Sequence, residues 1–357
     1  MNKPSFFSKF MGKTLLNLKP LLDSADENSV IPFQDDAIIR PRLNEKYYSW
    51  THYGIFIPNL PEPHRYLNIM IFLGTPSALA FDHDQLIAKK KSPRRTATFF
   101  SSTAATQDSF LKAYDFDDEC QITENGDFIQ LGDDLTISGK FPDIHVKGKY
   151  LGINFDFKLD VTRHVSWFLK NPIYDHLSLL SKITGTLFDP QHSYEINDLC
   201  TYEYARSVGM HSLYRELIPR QHKIPLDFFT YQIINIDSNT QILLTKADIL
   251  GKAAAYTVHV RYLGQPAEVY TEVDFNVLNY SDHPQISPLG EIMQIPNQFQ
   301  WIARDKNKEI INIIAECDAP FQYGHGRGYA TSYRYQGTLK SEPIKGLGYM
   351  EYVNLQK

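Results

Sequence analysis

From about residue 40 onward, short runs of alternating apolar and polar residues dominate the sequence. The run 153–161 (INFDFKLDV) alternates strictly, which is the pattern of a strand with one buried face. Turn-forming pairs such as Asn125-Gly126 separate the runs, as β-hairpins require. The pattern therefore predicts an all-β chain built as barrels or sandwiches. Other runs rich in Val, Ile, Tyr, Phe and Thr lie at 66–73, 96–102, 127–131, 135–140 and 144–150.

The alternation lapses between about residues 206 and 226 and then resumes at 227–236, 240–248 and 253–262. The chain has 357 residues, more than the roughly 250–300 at which a single hydrophobic core usually stops growing. Eight strands are enough to close a barrel that holds a small ligand. We therefore predict three parts: an N-terminal amphipathic helix with a linker (1–40), a first barrel (41–206) and a second barrel (207–357).

Residues 1–22 form an amphipathic pattern without any acidic residue. On a helix, Lys9, Lys13 and Lys19 fall opposite an apolar face. This helix either docks on a barrel or anchors the protein at a membrane surface, because basic amphipathic helices partition into anionic headgroups. The apolar face consists of Phe7, Phe10, Met11, Leu15, Leu18, Leu21 and Leu22.

The net charge bears on which partners the protein could bind, and its cysteines bear on the cellular compartment. The net charge of −5 and the pI near 6.2 give no electrostatic reason to expect nucleic acid. Cys120, Cys200 and Cys317 are widely spaced and form no CxxC pair, which favours a reducing, cytoplasmic location. No stretch approaches about 18 consecutive apolar residues, so we expect no spanning helix. The oligomeric state is left open.

Four segments in order resemble a known family: 183–188 (ITGTLF), 194–206 (YEINDLCTYEYAR), 226–233 (LDFFTYQI) and 344–352 (IKGLGYMEY). The set is similar to the carotenoid 1,2-hydratase (hydroxyneurosporene synthase) and AttH-like superfamily of tandem lipocalin-type proteins. Fungal Diels–Alderase-type cyclases have a similar double-barrel fold. The resemblance implies an all-β fold of two lipocalin-like (calycin) antiparallel barrels in tandem, an apolar ligand and a divergent member of the superfamily.

The resemblance also points to Glu203 as a catalytic residue. Where the family carries Asp-His-Glu-Trp, this sequence has Glu203-Tyr204-Ala205-Arg206, which keeps a carboxylate but neither the His nor the Trp. The family pattern turns Glu203 into the barrel as a general acid, with Tyr202 or Tyr204 orienting the substrate. Strand alternation places both tyrosines on the face opposite Glu203, so a glutamate at the rim above packed tyrosines is the alternative.

Several aromatic and polar residues are candidates for lining a ligand pocket, with core packing as the alternative. We expect the loop 324–329 (GHGRGY) to be a flexible connection at a barrel mouth, and Asp82-His83-Asp84 to form a surface hairpin. Glu351, beside Tyr349 and Tyr352, is interpreted as structural. No HxH or HExxH spacing occurs, so neither a metal nor a cofactor is expected. The candidate ligand-binding residues are Trp50, Tyr53, Phe229, Tyr231, Trp301, His325, Arg327 and Tyr349.

Three functions fit these observations. The first is binding of a hydrophobic small molecule, isoprenoid, lipid or polyketide-like, in a barrel or inter-barrel pocket. The second is a lyase, hydratase or cyclase that acts on such a molecule with Glu203 as general acid. The third is a peripheral membrane scaffold that uses the N-terminal helix. We predict the binding function, with the enzyme as the first alternative and the membrane scaffold as the second.

Overall fold

The computed structural model describes residues 3–356 and shows two large antiparallel β-sheets and few helices. Met1, Asn2 and Lys357, which belong to the predicted parts 1–40 and 207–357, lie outside the described residues. The helices are α1 (Phe6–Leu22), α2 (Ala25–Ser29), α3 (Asp84–Ile87) and α4 (Phe116–Glu119). Single 3-10 turns lie at Asp36–Ile38, Pro93–Arg95, Met210–Ser212 and Arg220–His222.

The first sheet has eleven strands in the order β4-β3-β2-β1-β11-β10-β9-β8-β7-β6-β5. Its first strand pairs with its last, and its two edge strands follow one another in the chain through α4. The sheet therefore curls into a nearly closed barrel. Its strands are β1 (Tyr48–Ile57), β2 (Leu67–Gly74), β3 (Thr96–Ser102), β4 (Phe110–Asp115), β5 (Cys120–Ile122), β6 (Phe128–Leu131), β7 (Leu135–Lys140), β8 (Asp143–Tyr150), β9 (Ile153–Lys170), β10 (Tyr174–Phe188) and β11 (Ser193–Val208).

The second sheet repeats this plan in the order β15-β14-β13-β12-β23-β22-β20-β19-β16, with β21 paired to β22. Here too the first strand pairs with the last. Its strands are β12 (Leu226–Asn235), β13 (Thr240–Ile249), β14 (Lys252–Tyr262), β15 (Gln265–Tyr270), β16 (Glu272–Tyr280), β19 (Pro296–Asp305), β20 (Lys308–Cys317), β21 (Gln322–His325), β22 (Gly328–Leu339) and β23 (Glu342–Asn354). A separate small hairpin joins β17 (Gln285–Ile286) and β18 (Ile292–Met293).

The all-β prediction with two curled sheets and an N-terminal helix is confirmed. Alternate residues of each strand point into the interior of their own sheet and fill it, as Tyr53 and Phe157 do in the first sheet and Trp301 does in the second. The opposite faces of several strands pack against the other sheet. We call this contact region the junction, and its apolar part includes Phe56, Met70, Phe72, Phe100, Phe168, Tyr231, Ile233, Leu243 and Tyr349.

Helix α1 docks on the protein through its small residues. The Ser8 hydroxyl donates a hydrogen bond of 2.6 Å to the Lys223 carbonyl. A Cβ atom on Gly12 would lie only 2.9 Å from Cγ of Pro225, so the helix backbone approaches closely here. The helix is therefore docked, as one of the two alternatives predicted, but most of its large apolar side chains stay exposed. Among residues 3–356, no helix combines the length and hydropathy needed to cross a bilayer.

Asp82, His83 and Asp84 do not form the surface hairpin that we expected. Asp82 and His83 are buried, and Asp84 begins α3. The fully buried ammonium group of Lys223 lies 3.2 Å from Oδ1 of Asp82 and 2.6 Å from Oδ1 of Asp84. A lysine from the segment between the sheets thus compensates the buried carboxylates, which the local sequence pattern could not reveal.

The glycine-rich loop 324–329 is also buried, not a flexible barrel mouth. It forms a tight hairpin between β21 and β22 that packs on the segment 80–81. The Arg327 amide donates a hydrogen bond of 2.9 Å to the Ala80 carbonyl. Gly326 has a positive φ of 59°, and a Cβ there would lie 2.1 Å from that same carbonyl oxygen. Glycine is therefore required at this position by conformation and by space.

We predict that Gly326→Ala destabilises the protein more than Gly251→Ala. Both glycines have a left-handed backbone conformation, which lowers the stability of an alanine variant by about 1–2 kcal/mol. At Gly251, however, nothing lies within 4 Å of an added Cβ. The contact with Ala80 adds about 1–3 kcal/mol for Gly326→Ala. Urea unfolding of both variants measures this difference, and equal midpoints would show that the hairpin is not tightly packed.

Candidate functional site

The junction contains a group of buried titratable side chains from both sheets. β1, β10 and β11 contribute from the first sheet, and β12, β14, β23 and the 325–328 hairpin contribute from the second. Buried ionisable groups are expensive to keep without partners, so their concentration at one place marks a candidate functional site. We call this group the junction cluster, in which His176 is half-buried and the other members are buried: His52, His176, Glu203, Tyr231, Arg261, His325, Tyr349 and Glu351.

Glu203 lies on β11 with its side chain buried against the second sheet. Tyr202 and Tyr204, its neighbours on the strand, point the other way into the first core. The hydroxyl of Tyr231 on β12 donates a short hydrogen bond to Oε1 of Glu203. Burial, followed by the charge of Glu203, raises the pKa of Tyr231 well above its usual value. Tyr231 therefore keeps its proton and acts as a fixed donor to Glu203 from the opposite sheet.

Two histidines lie beside Glu203 on neighbouring strands. Nε2 of His176 is 3.8 Å from Oε2 of Glu203, and its Nδ1 is 3.2 Å from the Tyr174 hydroxyl. Nδ1 of His52 is 2.9 Å from the Ile71 carbonyl oxygen, so this nitrogen carries the proton and donates. Burial, then the neighbouring His176, lowers the pKa of His52 to about 3. The His52 imidazole is consequently neutral near physiological pH.

His52, His176 and Glu203 could together hold a metal ion. One ligand atom from each lies within 4.8 Å of the others, and the His52 Nδ1–H bond to a carbonyl is typical of a metal-bound histidine. However, ligands of a tetrahedral zinc ion lie about 2.0–2.2 Å from the metal, so the three atoms would have to move closer together. The Tyr231 hydroxyl also already engages the Glu203 carboxylate. The arrangement thus fits acid–base chemistry better than metal binding.

Glu351 on β23 is the second buried carboxyl group of the cluster. The Tyr349 hydroxyl donates a hydrogen bond of 2.9 Å to its Oε1, and Nε2 of His325 lies 3.4 Å from its Oε2. Burial, and then the charge of Glu203, raises the pKa of Glu351 well above its usual value. Burial lowers the pKa of His325 well below its usual value. Glu351 is therefore a neutral carboxylic acid beside a neutral imidazole.

Arg261 supplies a buried positive charge on the side of Glu203 and Tyr231. Its guanidinium donates to the carbonyl and hydroxyl of Ser178, at 3.2 and 3.1 Å, and to the Gln241 side chain. Burial lowers the pKa of Arg261 to about 10, while Tyr231 and Glu203 act in the opposite direction. Within residues 3–356 Arg261 makes no direct ion pair. Its charge instead acts on Tyr231 and Glu203 at longer range.

A pocket of about 270 Å³ lies beside the cluster, between α1 and β14. Its lining includes Leu16, Phe168, Ala255 and Thr257. The ring of Phe168 separates the pocket from the cluster, with ring centroids 4.7 Å from His176 and 5.3 Å from Tyr231.

The structure brings about half of the candidate residues to the junction. Glu203, Tyr231, His325 and Tyr349 belong to the cluster, and Phe229 stacks on His325 with centroids 5.3 Å apart. Trp50 lies at the edge of the junction against Phe72 and Tyr174. The others lie elsewhere: Tyr53, Tyr202 and Tyr204 in the first core, Trp301 in the second core, and Arg327 in an ion pair with Glu291.

Four members of the cluster were not among the candidates: His52, His176, Arg261 and Glu351. His52, Arg261 and Glu351 are polar residues within otherwise apolar or β-branched runs, and this pattern is a signal that the sequence offers for them. For Glu351 a further signal was present, because it lies in the same kind of tyrosine-rich strand end as Glu203. We had interpreted that repetition as structural.

We predict that His52 makes the protein less stable in acid. Its pKa is near 3 when folded and 6.5 when unfolded, so stability is lost as the pH falls below 6.5. From pH 6.5 to about pH 4 this contribution lowers the free energy of unfolding by up to about 3 kcal/mol. His52→Gln should remove that part of the pH dependence in urea unfolding, while the exposed His192→Gln should not. Parallel curves for His52→Gln and wild type would contradict a neutral, buried His52.

Several solved structures share the fold of this chain. Kievitone hydratase from Nectria haematococca is 11% identical and superposes with a TM-score of 0.57 over 92% of this chain and 95% of its own. An AttH-like protein from Nitrosomonas europaea is 11% identical, with a TM-score of 0.55 over 86% and 92%. CghA is 7% identical, with a TM-score of 0.50 over 94% and 98%. The resemblance predicted from the sequence is confirmed at the level of the fold.

Family membership follows from the sequence itself. No curated protein matches the chain significantly. Residues 70–357 match the family of unknown function DUF6670, and this segment holds both sheets apart from β1 and the first three residues of β2. The chain therefore belongs to the DUF6670 family.

Proposed function

We propose that this protein is an acid–base enzyme of the lyase type, a hydratase or cyclase, that acts on a largely apolar small molecule at the junction. The observation that carries the proposal is the pair of buried carboxyl groups in contrasting surroundings. Glu203 has a hydroxyl donor and a nearby guanidinium, whereas the pKa of Glu351 is raised by burial and by the charge of Glu203. A carboxyl group whose pKa is raised by burial keeps its proton near neutral pH and can donate it as an acid.

In this proposal Glu351 is the acid and Glu203 is the base. The sequence resemblance pointed to Glu203 as the acid, but Glu203 accepts a hydrogen bond from the Tyr231 hydroxyl, whereas burial raises the pKa of Glu351 and keeps the proton there. Glu351 donates its proton to an alkene carbon, the π bond breaks, and a cation forms. Glu203 then takes a proton from a water molecule as its oxygen bonds to the cation. In the reverse direction the same groups eliminate water.

The surroundings of the two carboxyl groups suit this chemistry. Tyr231 and Tyr349 orient the carboxyl oxygens, and the aromatic rings of Phe56 and Phe168 keep bulk water away from the reacting carbon. A hydratase, kievitone hydratase, has the same fold, which supports hydration as the reaction class. The nearby apolar pocket supports a substrate that is mostly hydrocarbon.

Binding without turnover is the second candidate. The pocket between α1 and β14, about 270 Å³ in volume, favours it, because a protein that only holds an apolar molecule needs such a space and no acid–base pair. Under this alternative the junction cluster holds the two sheets together. Substitutions in the cluster would then change stability, with no effect on a chemical step.

The test is water addition by the purified protein. We expect mass spectrometry in heavy-oxygen water to detect a hydrated product from kievitone or from a panel of apolar alkenes. Glu203→Gln and Glu351→Gln should each lower the rate by about 10²–10⁴-fold, because each removes one proton-transfer group. Glu195→Gln, on the same strand as Glu203 but exposed, is the matched control and should react at the wild-type rate.

Native mass spectrometry separates the two candidates. A variant that keeps its bound molecule but no longer converts it supports the enzyme. Full activity in both Gln variants of the cluster would remove these carboxyl groups from the mechanism. A ligand that binds and is released unchanged by the wild-type protein would favour the binding function.

A further inference from the structure

The outward face of α1 is a broad apolar surface. Phe6, Phe10 and Leu21 are 87%, 57% and 77% exposed, and Phe7, Leu18 and Leu22 are also exposed on the same helix. At 100° per residue these six side chains fall within about half of the helix circumference. Large apolar side chains are common at surfaces as single residues, but a contiguous set of this kind marks an interaction site.

The helix is held in an orientation that presents this face. At the start of the helix, the Ser5 amide donates a hydrogen bond of 2.8 Å to the Gln221 carbonyl, and Ser5 Oγ lies 2.9 Å from Nδ1 of His222. Just after the end of the helix, the Ser24 amide donates a hydrogen bond of 3.0 Å to the Lys170 carbonyl. The close contact of Gly12 with Pro225 fixes the buried side between these two points. The apolar face therefore cannot turn inward without breaking all of these contacts.

The charges around this face point to one kind of partner. Lys3, Lys9 and Lys13 are exposed, and no acidic residue occurs between residues 3 and 22. On the helix, Lys9 and Lys13 lie along the edge of the apolar face next to Phe6. A second copy of the chain would bring lysines from both copies to the same contact, whereas lipid phosphates neutralise them.

We propose that α1 binds the surface of an anionic lipid bilayer. Phe6, Phe10 and Leu21 enter the boundary between headgroups and acyl chains, and Lys9 and Lys13 contact the phosphates. The helix has 17 residues and lies in the plane of the surface. The pocket lined by Leu16 is on the other side of the helix, about 10 Å from the bilayer. An apolar molecule dissolved in the membrane is thereby concentrated close to the pocket.

The experiment is co-sedimentation of the full chain with vesicles of phosphatidylcholine, with and without phosphatidylglycerol. We expect binding to the phosphatidylglycerol vesicles that weakens as ionic strength rises. The double variant Phe6→Ser/Phe10→Ser should bind about tenfold more weakly or worse, because it removes two rings from the apolar face. Ile292→Ser, which removes an apolar side chain that is 69% exposed on β18, should bind like wild type.

A second variant tests the charges without touching the apolar face. Lys9→Glu/Lys13→Glu should also lose binding to the phosphatidylglycerol vesicles, and both double variants should unfold at the wild-type temperature, because the changed side chains are exposed. Wild-type protein that stays in the supernatant, or a Phe6→Ser/Phe10→Ser variant that sediments normally, overturns the proposal. So does a wild-type dimer in light scattering that this variant converts to a monomer, since a second copy then covers the face.

Discussion

Burial of strands on both faces is the constraint on which this structure depends. β2 and β3 are buried at every position, because one face of each strand fills its own sheet and the other packs against the second sheet. Any polar side chain on the inner side of the junction must therefore find its partner there. Glu203 finds Tyr231 across the junction, and Arg261 finds Ser178. The cluster is a consequence of two curled sheets that share one contact surface.

The two halves of the cluster are similar in plan but differ in the source of their hydroxyl donors. In each sheet the last strand carries a glutamate that faces the junction, Glu203 on β11 and Glu351 on β23. In the pairing of the strands, Gly54 lies opposite Glu203, whereas Tyr231 lies opposite Glu351 and reaches across to Glu203. One carboxyl thus has its hydroxyl donor from the other sheet, and the other has Tyr349 from its own strand. This asymmetry places two identical side chains in different surroundings.

The sequence predicted the strands well because period-2 alternation reports burial directly. The run predicted at 153–161 lies within β9, and the runs at 96–102 and 135–140 coincide with β3 and β7. The site was harder to predict, because its members come from distant strands and meet only through the packing of one sheet on the other. Alternation correctly placed Glu203 on the strand face opposite its flanking tyrosines. It could not tell which face of the strand would pack against the second sheet. The buried state of Asp82 depended on Lys223, a residue more than a hundred positions away.

The burial of strands on both faces has a consequence for the chain segment that connects the two sheets. Residues 213–216 are exposed between the two sheets, whereas the nearby Lys223 forms buried ion pairs with Asp82 and Asp84. Nothing in the junction depends on an intact peptide bond at 213–216. A break there would leave two pieces that share the apolar contacts of the junction. We expect such pieces to stay associated through these contacts, with the site formed between them.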